Sequence, residues 1–105
     1  MIVREWTARA TPDGAAGYER HFRAAVLPEL EATPGHLGSY LLNRPADNET
    51  VVVTVLTLWT SMAAVSGFAG PTPELAVVEP GARAVLLDFD ERVTHHDVVH
   101  TTVDG

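Results

Sequence analysis

The sequence lacks cysteine and lysine, and all seven of its basic residues are arginines. Without cysteine there are no disulfides, thiolate nucleophiles or thiolate zinc sites. The fourteen acidic residues give a formal net charge of −7, whereas a protein that neutralises phosphates needs a basic face. We therefore expect neither nucleic acid nor an anionic membrane surface as a partner.

Long apolar segments are missing as well. No run reaches the roughly 18 residues that a membrane helix needs, and the first residues lack the layout of a signal peptide. We therefore expect a soluble, cytoplasmic protein. The chain has 105 residues, 46% of them hydrophobic and 20% charged, which is typical of one folded domain. We place that domain at residues 1–102 and expect 103–105 to be a frayed tail.

The first third of the chain predicts a strand followed by a helix. Residues 2–8 alternate in the manner of a strand. Thr11 and Pro12 are typical of an N-cap and a first helical residue. The following apolar stripe has a spacing of four residues and consists of Tyr18, Phe22, Val26 and Leu30. Pro28 cannot donate a hydrogen bond to the carbonyl of Ala24, so we expect a kink or an early end there.

The remaining segments predict further strands around a second helix. In chain order they are a strand at 36–44, a strand at 50–59, a helix from Ser61 to Ala69, a helical turn at 74–78, and strands at 83–90 and 93–102. The last two are either separate strands or one long strand interrupted near 90–92. The order β-α-β-β-α-β predicts an α+β fold with a ferredoxin-like antiparallel sheet.

Apolar residues occur on both faces of this predicted sheet. In the strand at 50–59, Val53 and Val55 point one way, and Leu56 and Leu58 point the other way. Two helices cover only one face of such a sheet. Because the second face would expose an apolar patch larger than monomers usually tolerate, we expect a homodimer closed around it.

Three stretches of the sequence resemble the antibiotic biosynthesis monooxygenase superfamily. They read MIVREW at the start, LTLWTSMAAVSGFAG in the middle and VTHHDVV near the end, and the likeness covers residues 2–99. Members of this superfamily are dimeric α+β barrels. Some oxidise polycyclic aromatic intermediates without metal or flavin, and others degrade heme. The resemblance therefore implies a dimeric barrel and an oxygenase that needs no cofactor.

The heme-degrading branch can be compared at two positions. For that branch, the resemblance implies a tryptophan in the second helix and a histidine one short helix later. The second helix carries Phe68 instead, and residues 76–78 contain no histidine. Because the sequence departs from that branch at both positions, we do not expect heme as a cofactor.

Histidines are the candidate catalytic groups. His95 matches the late motif of the family and suits a general base near neutral pH, with Asp97 on the same strand face to orient it. The alternative is a strand histidine that is hydrogen-bonded to a neighbour. His36 is the second candidate, either at a pocket mouth or in solvent. His96 and His100 would lie about 13 Å apart, too far for a shared metal, so no metal site is expected.

Five other residues are candidates for binding substrate. Arg4 and Trp6 share a strand face, and an arginine beside an indole suits an anionic aromatic ligand. The alternative is a salt bridge from Arg4, with Trp6 in the core. Tyr40, Trp59 and Phe68 belong either to the core or to an apolar cavity between helices and sheet.

The sequence leaves three functions open. The first is a cofactor-independent monooxygenase-type enzyme that acts on a small apolar or aromatic molecule, with a role in secondary metabolism. The second is a non-catalytic dimeric protein that binds a small molecule or assists another protein on the same scaffold. The third is a heme binder with one exposed histidine as the axial ligand.

Overall fold

The computed structural model describes residues 1–103. Within that range the strands are β1 (Ile2–Ala10), β2 (His36–Pro45), β3 (Val51–Trp59), β4 (Asp88–Phe89) and β5 (Thr94–Asp97). The helices are α1 (Pro12–His21), α2 (Leu27–Ala32), α3 (Met62–Ala69) and the single turn α4 (Pro80–Arg83), with a π-helical turn at Phe22–Val26. No helix of the described residues is both long enough and apolar enough to cross a bilayer. Val103 is exposed, and the rest of the expected tail, Asp104 and Gly105, lies outside the described residues.

The first helix begins as predicted and then changes its winding before Pro28. The hydroxyl of Thr11 accepts a hydrogen bond from the backbone N–H of Gly14 (3.0 Å). Further on, the N–H of Leu27 bonds to the carbonyl of Phe22 five residues earlier, which widens the turn. Pro28 has no N–H to donate, and this turn lets the helix continue to Ala32 instead of ending early.

The sheet confirms the ferredoxin-like α+β fold. Its strand order is β2-β3-β1-β4, all neighbouring pairs are antiparallel, and β5 also pairs with β1. Phe89 of β4 lies opposite Ala8, and His95 of β5 lies opposite Arg4. The two short strands thus pair in succession with the same edge of β1. This agrees with the expectation of one long final strand that is interrupted near residues 90–92.

Two predictions for the last third of the chain were wrong. Residues 74–78 form no helical turn, because their backbone pairs with residues 91–93: Ala76 donates to the carbonyl of Glu91, and Val93 donates to that of Glu74. The strand predicted at 83–90 is reduced to β4. Arg83, the first residue of the predicted strand, belongs to α4. Val85 packs against α1 at Gly17 and does not join the sheet.

The strand predicted at 93–102 was also too long. Only Thr94–Asp97 pairs with β1, because β1 itself begins at Ile2, the partner of Asp97. Beyond that point the N–H of Val98 reaches the carbonyl of Met1, and residues 98–103 form no strand.

The core lies between the helices and one face of the sheet. Alternate residues of β1 and β3 are buried there, and the helices contribute the predicted apolar stripe. The largest fully buried side chains of the core are Trp59, Leu30, Val53 and Val65. The opposite face is not covered within the subunit: Tyr40 is 47% exposed and Leu42 is 44% exposed.

Gly35, in the turn before β2, carries a packing constraint that Gly70 does not share. Both have a positive φ (+91° and +84°), but a Cβ at Gly35 would lie 2.5 Å from Cβ of Ala64, whereas a Cβ at Gly70 would meet nothing within 4 Å. We expect Gly35→Ala to lower the free energy of unfolding by about 4 kcal/mol, and Gly70→Ala, whose ψ of −162° lies in a region nearly restricted to glycine, by about 2 kcal/mol. Urea unfolding of the two variants measures this difference, and equal losses would contradict the packing argument.

Candidate functional site

A small cavity lies between the helices and the core face of the sheet. Its walls are mainly apolar, and the polar groups among the lining side chains belong to Arg4, Thr57 and the hydroxyl of Tyr18. The apolar and aromatic wall consists of Trp6, Tyr18, Val26, Leu30, Val55, Phe68, Val77 and Val93. An apolar wall with few polar groups is typical of a site for a small organic molecule.

The cavity is small. Its volume is about 40 Å³, room for about three water molecules. The segment 71–79, which has no helix or extended strand of its own, covers it and contributes Val77. An aromatic ligand is larger than this volume and therefore requires part of the wall to move.

A larger depression of about 390 Å³ lies between the first helix and β2. Its charged residues, Glu19 and Arg23, form an exposed ion pair with each other (3.1 Å). Because these charges already neutralise one another, the smaller cavity beside Arg4 is the stronger candidate for a site.

Arg4 is the one charged residue that lines the cavity, and its side chain is buried. Residue 4 is 5% exposed. Its Nη1 donates to the carbonyl of Pro73, and its Nη2 donates to the carbonyl of Leu75 (2.9 Å). No carboxylate within residues 1–103 forms an ion pair with Arg4, so the alternative of a salt bridge is not found. Burial lowers the pKa of Arg4 to about 10.

His95 lies directly beside Arg4. Its Nε2 is 3.0 Å from Nη1 of Arg4. Because a guanidinium only donates, Nε2 must be the acceptor, which requires the neutral ring with its proton on Nδ1. Burial, and then the charge of Arg4, lower the pKa of His95. His95 is therefore neutral near pH 7, and it adjoins the cavity wall through Arg4 rather than lining the cavity itself.

The aromatic candidates Trp6 and Phe68 line the cavity, whereas Trp59 lies behind it. The indole N–H of Trp6 donates to the carbonyl of Asp90 (2.8 Å), and that of Trp59 donates to the hydroxyl of Thr57 (2.8 Å). The rings of Trp59 and Phe68 pack with centroids 5.8 Å apart. The wall thus offers ring faces, since both indole donors are already used.

The structure does not bring Tyr40 and His36 to the cavity. Tyr40 pairs with Leu56 and points to the uncovered face of the sheet. His36 packs edge-on against Trp59 (5.2 Å), with its Nε2 enclosed and without a partner, and burial lowers its pKa. Both placements follow from the register in which β2 pairs with β3, because it sets His36 opposite Trp59 and Tyr40 opposite Leu56.

Asp97 does not take the orienting role expected for it. It is exposed and makes no hydrogen bond to His95 within the described residues. Arg4 holds the ring instead, because it lies directly opposite His95 in the pairing of β1 with β5.

Sequence reasoning missed several residues of the cavity wall. Tyr18, Val26 and Leu30 were recognised only as a helical stripe, although a stripe of this kind faces whatever lies beneath it. Thr57 had a signal, since it is the polar member of an otherwise apolar strand face. Val77 had none, because its segment follows no periodic pattern and its position depends on contacts distant in sequence.

The described residues contain no group of three or more His, Asp or Glu side chains placed to hold a metal ion. The contact between Arg4 and His95 is the candidate for the chemistry of the cavity.

Fold and cavity together define a class, the ferredoxin-like α+β proteins with a cavity between helices and sheet. Within it, the sequence model described as antibiotic biosynthesis monooxygenase matches residues 1–70. The chain belongs to this family. No curated protein matches the sequence.

Solved structures support the fold. A MhuD variant with two manganese protoporphyrin IX molecules bound per active site is 24% identical, with full coverage of both chains and a TM-score of 0.60. SnoaB from Streptomyces nogalater, a cofactor-independent oxygenase, is 18% identical, with 98% of each chain covered and a TM-score of 0.57. A Caulobacter crescentus protein named for the same family is 21% identical, with 94% of this chain and 90% of that chain covered and a TM-score of 0.63.

The contact between Arg4 and His95 predicts the titration of His95. Its pKa should lie below the ordinary 6.5, because burial and the guanidinium both disfavour the charged ring. Below pH 6.5 the unfolded chain then binds a proton that the folded chain still excludes, so this histidine lowers the free energy of unfolding as the pH falls. NMR titration of the ring protons measures the pKa, and a value at or above 6.5 would contradict the contact.

Proposed function

We propose that the chain is a cofactor-independent monooxygenase-type enzyme that oxidises a small aromatic molecule in the cavity. The observation that carries the proposal is a neutral histidine held against a buried arginine at the wall of an apolar cavity. Membership of the family supports it, as does the likeness to SnoaB, a cofactor-independent oxygenase.

The proposed reaction begins with a proton transfer. The apolar walls bind the rings of a substrate with an acidic CH₂ group and exclude water from it. The substrate then replaces Arg4 at Nε2 of His95, and this lone pair accepts the proton. Arg4 keeps its bonds to the carbonyls of Pro73 and Leu75.

The carbanion left by this transfer is the reductant of dioxygen. One oxygen atom bonds to the reacting carbon, which becomes a carbonyl, and the other leaves as water with the two hydrogens of the CH₂ group. The net change is R₂CH₂ + O₂ → R₂C=O + H₂O. The protein's part is to position the substrate and to hold a base that is unprotonated near neutral pH.

Oxygen uptake with anthrone as substrate tests this proposal. We expect His95→Gln to lower the rate about 100-fold or more, because the amide occupies similar space and accepts from Arg4 but cannot take the proton. His100→Gln, an exposed change outside the cavity, is the matched control and should keep the full rate. Full activity in His95→Gln would remove His95 from the mechanism.

One observation favours the alternative of a non-catalytic binding protein. In the structure, the lone pair of His95 is already occupied by Arg4, so His95 offers the cavity no free base. Anthrone binding without oxygen uptake would support this alternative. A Soret band on addition of hemin would support the heme binder, although no histidine is among the residues lining the described cavity.

The proposal includes a homodimer. Tyr40 and Leu42 are exposed on the uncovered sheet face, next to the half-buried Val52, Leu56 and Leu58 of β3. A second copy laid against this face would bury the patch by two-fold symmetry. The cytoplasmic location and the role in secondary metabolism stay predictions.

A charge on the sheet face tests the dimer. We expect sedimentation to give about twice the 11.3 kDa of one chain, and Leu56→Glu to give the monomer, because a carboxylate is costly to bury in an apolar interface. Val99→Glu is the control, since Val99 is 95% exposed and lies outside the sheet. A single-chain mass for the native protein at micromolar concentration would refute the dimer.

A further inference from the structure

We propose that Arg4 makes the cavity selective for an aromatic carboxylate, held by two parallel hydrogen bonds to the guanidinium. The inference rests on the proposed function only in placing an aromatic ligand in this cavity. It does not depend on the oxygenase reaction.

The hydrogen bonds of Arg4 leave a defined pair of donors unused. A guanidinium has five N–H groups. Nη1 donates two hydrogen bonds, one to the carbonyl of Pro73 and one to Nε2 of His95. Nη2 donates one to the carbonyl of Leu75. The proposed site uses the remaining donors, Nε–H and the second Nη2–H. Nε and Nη2 form one edge of the fork, the arrangement that binds a carboxylate through two bonds.

The charge of Arg4 also has no ion-pair partner among the described residues. Its two backbone partners and His95 are neutral acceptors, and within residues 1–103 no carboxylate forms an ion pair with it. A buried cation without a counter-ion is costly. By contrast, Arg9 on the same strand pairs with both Asp88 and Asp90 at the surface. An anion brought by the ligand would supply the missing charge at the buried position.

The rest of the wall fits the remainder of such a ligand. Trp6 and Phe68 offer ring faces next to Arg4, and the indole N–H of Trp6 is already bonded to a carbonyl. Thr57 accepts from Trp59. Arg4 is therefore the charged donor of the cavity, with the hydroxyl of Tyr18 as a neutral donor on the same wall, and the apolar surface around them suits an aromatic ring better than a second charge.

A matched pair of ligands tests the inference on the native protein. 2-Naphthoate and 2-naphthamide share ring and shape and differ in one charge. We expect the carboxylate to bind at least tenfold more tightly by calorimetry at pH 7. Both should shift the indole N–H signal of Trp6 in the NMR spectrum, which places them in the cavity.

Variants of the two strand arginines locate the selectivity. We expect Arg4→Gln to remove the preference for naphthoate, and Arg4→Lys to keep only part of it because a single ammonium cannot form the fork. Arg9→Gln is the matched control: it removes the same charge from the same strand outside the cavity, and the preference should stay. Circular dichroism establishes that each variant is folded, and the native comparison stands by itself where Arg4→Gln does not fold.

Each contrary outcome has a separate meaning. Equal affinity for both ligands in the native protein would overturn the carboxylate site and leave the proposed aromatic cavity intact. No binding of either ligand would overturn both. A preference that persists in folded Arg4→Gln would place the anion elsewhere and overturn the role of Arg4. Oxygen uptake with anthrone reports on the reaction independently of all three.

Discussion

The buried guanidinium of Arg4 connects β1 both to the neighbouring strand β5 and to a segment without regular secondary structure. It extends from the central part of β1 and binds two carbonyl groups of the segment 71–79 and the ring of His95 on β5. Removing a cation from water is costly unless its donors are bonded. This requirement holds the covering segment and β5 against the same side chain, and so determines where the cavity is and which groups adjoin it.

The same contact sets the chemistry available at the cavity. An arginine cannot accept a proton, so the histidine beside it must be neutral and must present an acceptor. The electrostatic effect of the cation and the loss of water act in the same direction on the pKa of His95. A base that is unprotonated at neutral pH and a cation without a counter-ion therefore adjoin one apolar space. This combination suits an acidic aromatic molecule better than a neutral aliphatic one.

Much of the fold followed from local patterns in the sequence. The alternation in β1 and β3 placed Trp6, Val53 and Val55 on the core face, and the caps Thr11 and Ser61 begin helices in the structure. These predictions succeeded because each depends on neighbouring residues only. The predictions for the last third of the chain failed because the structure there depends on residues distant in sequence. Residues 74–78 pair with 91–93, and Val85 packs on α1 instead of continuing a strand. Of the candidate site residues, Arg4, Trp6 and Phe68 line the cavity, and His95 adjoins it through Arg4, whereas Tyr40 and His36 do not reach it.

The sequence by itself determined the α+β class, the two-sided apolar sheet, the absence of thiol chemistry and the presence of an arginine and a tryptophan on one strand face. All of these are properties of composition or of short-range periodicity. Only the tertiary structure decided that Arg4 is buried without a carboxylate and that His95, ninety-one positions away, accepts from it. The reason is physical: strand register and the path of an irregular segment arise from contacts between distant residues, and a local pattern carries no information about which distant groups will meet.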